Sequence, residues 1–133
     1  MTVKIDLETA VRLAEEVVAA APKGYVYTNP QGQVADTDAY GSSTTSCDYF
    51  TPDGEGSCIV GKVILAAGVS YYAADRNTGS YAHYYLSELN SDGIIDISHD
   101  AIEFLHKVQY EQDRGTPWAT ALENAKKKFQ HLL

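Results

Sequence analysis

The chain has 133 residues and a formal net charge of −8, with 44% hydrophobic and 21% charged residues. That length suits one domain around a single core, and that balance excludes a wholly disordered chain. An acidic surface argues against nucleic-acid binding, because neutralising phosphates takes a basic stripe, and Lys126-Lys127-Lys128 is the one basic run.

The N-terminal stretch TVKIDLETAVRLAEEVV is acidic and amphipathic. It lacks the apolar core of a signal peptide, and no segment approaches the roughly 20 apolar residues of a membrane helix. A cytoplasmic chain with free thiols at Cys47 and Cys58 is therefore expected. Asp6 is placed to cap a first helix, with Ile5 stapling against Ala10 and with Leu7, Val11, Ala14, Val17 and Val18 on one face. Pro22-Lys23-Gly24 ends that helix. YVYT (25–28) then reads as a strand, able to pair with a second strand candidate, CDYF (47–50).

Between them lies an 18-residue polar loop, 29–46, too long for an idle connection. Asp36, Asp38 and Tyr40 in this loop, with Asp53 and Glu55 beyond the second strand, form an acidic set suited to a basic partner surface. Ser57 is placed to cap a helix from Cys58 to Ala67, stopped by Gly68. Gly61 lies inside that helix, where it points to the close approach of another element. A cysteine at a helix start suits a nucleophile, but no histidine among 83, 99, 106 and 131 sits in the setting of a thiol-hydrolase base. Cys58 therefore reads as packing, with a thiol enzyme kept as an alternative.

SYYAADRNTG reads as a short helical turn, and SYAHYYLSEL as a helix with Tyr81, Tyr85 and Leu89 on one stripe. ELNSDGIIDISH (88–99) resembles an EF-hand loop of the dockerin kind, with Glu88, Asn90, Asp92 and Asp96 as candidate calcium ligands. Glu88 stands at the first position in place of Asp, and His99 at the last in place of a carboxylate, so any bound calcium would be held weakly. The alternative, and the preferred reading, is a helix-ending turn at Asn90–Gly93 followed by a Ser98 cap. A helix with an apolar arc of Ala101, Ile102, Phe104, Leu105 and Val108 follows. His99, Glu103, His106 and Tyr110 share its opposite face, which reads as solvated. Gly115 stops it, and Thr116-Pro117 opens a last helix with the stripe Trp118, Ala121, Leu122, Ala125, Phe129 and Leu132.

Two segments carry a resemblance. CDYFTPDGEGSCIVGKVILAAGV, and FLHKVQYEQDRGTPWATALENA with its VQxxQDxG and TPW pattern, are similar to small uncharacterised proteins of actinobacteriophages and their actinobacterial hosts. The resemblance implies a compact helical intracellular protein without a known activity or cofactor. It also implies that Gln109, Gln112 and Asp113 tie down the turn at Gly115, and that Trp118 anchors the last helix. The expectation is an α+β, mostly helical domain spanning 1–133, with about five helices and a small two- or three-stranded β patch. It is taken as a non-enzymatic accessory protein, a monomer or homodimer, that binds a host or phage protein.

Overall fold

The computed structural model describes residues 2–27, 36–37, 43–44, 49–51, 53–75 and 81–133, with the backbone alone at 36–37 and 43–44. The fold is mostly helical α+β, as expected. Its elements are β1 (Val3–Ile5), α1 (Leu7–Ala20), β2 (Asp36–Thr37), β3 (Ser43–Thr44), α2 (Ile59–Ala66), α3 (Tyr71–Ala74), α4 (Ala82–Ser91), β4 (Ile95–Ile97), α5 (His99–Asp113) and α6 (Trp118–Lys128). A 3₁₀ turn at Gln130–Leu132 follows α6. No helix among the described residues is long and apolar enough to cross a membrane.

The β patch is not where the sequence reading put it. Tyr25, Val26 and Tyr27 are irregular, and of the 47–50 segment the described part makes only an isolated bridge, Phe50 to Gly56. Ring packing overrides strand propensity here. Tyr25 meets Trp118 edge-on at 4.6 Å, and Tyr49 stacks on Tyr85 at 4.1 Å. The strands are instead β1 and β4, which run parallel with Val3, Lys4 and Ile5 opposite Ile95, Asp96 and Ile97. Each alternates apolar, polar, apolar. Ile5, Ile95 and Ile97 are buried beneath the pair while Asp96 is exposed. The second pair, β2 with β3, is antiparallel.

Helix α5 is the hub, packing against α1, α2, α4 and α6. Its arc of Ala101, Ile102, Phe104, Leu105 and Val108 is buried, together with the α6 stripe from Trp118 to Phe129. Leu132, expected to extend that stripe, is exposed. Glu111 ties α5 to α6 by accepting from Asn124 Nδ2 at 2.8 Å, and it also accepts from Lys107 Nζ at 3.4 Å. Asp6 caps α1 by accepting from the Thr9 N–H, which holds its carboxyl below the usual carboxylate range. Ser98 caps α5 by accepting from the Ala101 N–H. Pro117 occupies the N-cap of α6 rather than its first turn, and the Trp118 N–H donates to the Tyr25 carbonyl.

Candidate functional site

Helix α2 is almost wholly apolar and sits inside the protein, with Ile59, Val60, Val63 and Ile64 fully buried. A buried helix start exposes N–H donors to an environment without water, so each needs an acceptor. Ser57 was expected to supply one. Its hydroxyl instead lies 3.3 Å from the Tyr27 hydroxyl, and Cys58 takes the N-cap without a side-chain hydrogen bond. The acceptors come from α5. Gln112 Oε1 accepts from the Ile59 N–H at 2.9 Å, and Gln109 Oε1 from the Val60 N–H at 3.3 Å. These side chains were expected to secure the turn at Gly115. That turn carries backbone bonds of its own, from Gly115 to the Gln112 carbonyl and from Thr116 to the Glu111 carbonyl. The expected close approach at Gly61 is present: a Cβ there would overlap the Tyr49 carbonyl oxygen.

Cys58 is free and fully buried at this corner. Its side chain is part of the hydrophobic core cluster, in the place of a small apolar residue. Cys47 lies outside the described residues.

The start of α4 is capped from the same helix by different chemistry. His106 Nδ1 lies 3.3 Å from the His83 amide nitrogen, so it must be the unprotonated, accepting nitrogen of the ring. His83 turns its own Nε2 to the Glu103 carboxylate at 3.2 Å. The row His99, Glu103, His106 and Tyr110 is thus not simply a solvated face. His99 and Tyr110 are exposed, but α4 partly covers Glu103 and His106. Burial holds the His106 imidazole below its ordinary value of 6.5; Glu103 pulls the other way, while His83 and Lys128 add to the lowering.

From this junction a continuous band of rings crosses the surface. Tyr84 meets His83 at 5.8 Å between centroids, His83 meets His106 at 6.0 Å, and His106 meets Tyr110 at 6.5 Å. The Arg114 guanidinium lies 5.3 Å from the Tyr110 ring centre and donates to its hydroxyl at 3.2 Å. Tyr84 is 68% exposed and Tyr110 45%, and Tyr81, at the N-cap of α4, is 54% exposed. These are the side chains that carry most energy in protein interfaces. The sequence reading missed this band because it depends on how α4 lies across α5. The polar pair at 109 and 112 did carry a signal: both continue the apolar arc of α5, where a polar residue implies a buried partner.

The predicted site residues are scattered by comparison. Glu88 and Asn90 belong to α4, and Asp92 is its C-cap. Gly93, at φ 75°, and Ile94 close a Schellman turn by donating to the Asn90 and Leu89 carbonyls. Asn90 Oδ1 accepts from the Ile97 N–H at 3.0 Å, so a candidate calcium ligand already holds β4 onto α4. Asp96 is exposed on β4. No group of three or more His, Cys, Asp or Glu among the described residues is placed to hold a metal ion. Of the acidic set, Asp53 and Glu55 are exposed in the turn bridged by Phe50 and Gly56. Asp36 is described by its backbone in β2, and Asp38 and Tyr40 lie outside the described residues.

One further group has unusual electrostatics. Asp113, at the end of α5, is pushed up to about 7 by burial, against the lowering effect of the bond it accepts from Gln112 Nε2 at 3.0 Å. An open depression of about 330 Å³ over the start of α1 is lined by Asp6, Glu8, Arg12 and Glu15; it is too polar and too open to enclose an apolar ligand. Comparison with protein-family models, curated proteins and solved structures finds no match for the chain.

Proposed function

We propose that this protein is a non-enzymatic binding module that engages a protein partner through the aromatic and imidazole band across α4 and α5. The observation that carries the reading is the unbroken chain of ring contacts from Tyr84 to Arg114, held on two packed helices with Tyr84 and Tyr110 open to solvent. Tyrosine and arginine offer large contact area with hydrogen-bonding ends, and rings that already touch lose little side-chain freedom on binding. The buried groups of the centre, Cys58, Gln109 and Gln112, serve packing or capping rather than chemistry on a substrate.

The resemblance to small actinobacteriophage proteins supports an accessory role in a host cell, with the cytoplasm as the place of action. Asp53 and Glu55 add an acidic rim at a separate edge, suited to basic groups on the same partner or a second one.

The test is site-specific photo-crosslinking in an actinobacterial host, with the probe at Tyr84, at Tyr110, or at the exposed control Glu16 on α1. Discrete crosslinked species are expected from positions 84 and 110, weakened by Arg114→Ala, and none from position 16. Indistinguishable patterns at all three positions would overturn the reading.

A further inference from the structure

The band contains a group whose protonation state its own geometry fixes. An imidazole that accepts from a backbone N–H at the start of a helix must carry no proton on that nitrogen. If it gains one, a donor faces a donor, and a positive charge faces the positive end of the helix dipole. Both effects oppose the contact between His106 Nδ1 and the His83 N–H.

We infer that His106 is a pH-sensitive latch on the first turn of α4, closed when its ring is neutral and released when it is protonated, so that the Tyr81 and Tyr84 end of the band is held for a partner only in the closed state. The inference rests on the proposed binding role for what the latch controls, but not for its existence.

The surroundings favour release. His106 is faced by Glu103 and Tyr110 on its own helix, by His83 and the amide end of α4, and by Lys128 from α6. Among the described residues, Glu103 is the group that would welcome an imidazolium, and its carboxylate is engaged by His83 Nε2 at 3.2 Å. Lys128 repels a second positive charge. Because the native ring titrates below its ordinary value of 6.5, the folded state binds fewer protons than the unfolded state in that window. The stabilisation from the closed latch is therefore complete above 6.5 and is lost as pH falls toward the native value.

NMR decides the matter on the intact protein. At about pH 7.5 the His106 ring is expected as the neutral tautomer with its proton on Nε2. Between about pH 7.5 and pH 5 the His83 amide resonance should shift with the same midpoint as the His106 ring. Over that range exchange of the Tyr85 amide, which donates to the Tyr81 carbonyl at 3.0 Å, should become several-fold faster after correction for the intrinsic pH dependence. His106→Gln, which keeps an acceptor that does not titrate in this range, should remove the part of the His83 amide shift that follows the His106 ring. A proton on Nδ1 of His106 at neutral pH would overturn the inference without any variant, as would an unchanged His83 profile in His106→Gln. The two proposals fail separately. A titrating latch without specific crosslinks at Tyr84 and Tyr110 removes the binding role alone. Specific crosslinks beside a His83 amide that does not follow His106 remove the latch alone.

Discussion

Helix α5 finishes the starts of two other helices, and it does so in two chemical dialects. At α2 the acceptors are amide oxygens, Gln109 and Gln112, both buried along with the donors they meet. At α4 the acceptor is an imidazole nitrogen at a partly open surface. The amide caps are indifferent to pH and cannot be replaced by water, so they behave as permanent structure. The imidazole cap can be undone by one proton, and water can reach the exposed side of the junction. The contrast teaches that burial of the donor decides how much a cap is worth, while the chemistry of the acceptor decides whether it can be switched.

The largest expected effect is at the buried end. In Gly61→Ala the new methyl would overlap the Tyr49 backbone carbonyl, which also accepts the Ser57 N–H and so has little room to retreat. A loss of about 3 kcal/mol, seen as a lower denaturant midpoint, is expected. Next comes Gln112→Ala, which strands the Ile59 N–H without water and costs about 2–3 kcal/mol. Gln109→Ala, acting on the longer bond to Val60, should cost less. If Gln112→Ala proves neutral, the distinction between the two helix starts fails.

Asp113→Asn sharpens the comparison by removing a charge beside the amide cap while keeping an acceptor for Gln112 Nε2. The native carboxyl titrates at about 7, above its ordinary 3.8, so its stabilising contribution is present below 3.8 and lost as pH rises through about 7. The variant should therefore be more stable than the parent by on the order of 1 kcal/mol at about pH 8, and equal to it at about pH 3, when both folded and unfolded Asp113 are protonated. This slope opposes that of His106, so thermal melts against pH should separate the two groups only when the variants are compared. The smallest effect belongs to His106→Gln at neutral pH, where one acceptor replaces another and melts should agree to within about 0.5 kcal/mol.

Much of the helical framework was legible in the sequence because local chemistry decides it. Asp6 and Ser98 cap the helices they were expected to cap, Ser70 caps the short turn α3, and the α6 stripe is buried from Trp118 to Phe129. The strands were not legible. Tyrosine-rich 25–28 and 47–50 carry strong β propensity, but rings at 25 and 49 found aromatic partners instead. The parallel pair joins two three-residue segments some ninety positions apart, and the second pair has two residues in each strand, all too short to stand out by periodicity. The α2 caps hid for a related reason: Ser57 offered a plausible local cap, and nothing in a linear reading says that acceptors will arrive from residues 109 and 112. Of the ring band only the α5 half, His106 with Tyr110, was visible, since His83 and His106 become neighbours only through packing.

The reach of α5 also bears on how the chain leaves the ribosome. Until Gln109 and Gln112 have cleared the exit tunnel, Val60 and Ile59 lack their native acceptors, and β1 must wait for β4, which emerges somewhat earlier. The N-terminal two thirds can sample helices during synthesis but cannot lock them, so the order of events runs against the order of translation. A nascent chain stalled short of the last helix pair should remain open to proteases, and its release should be followed by folding in one concerted step.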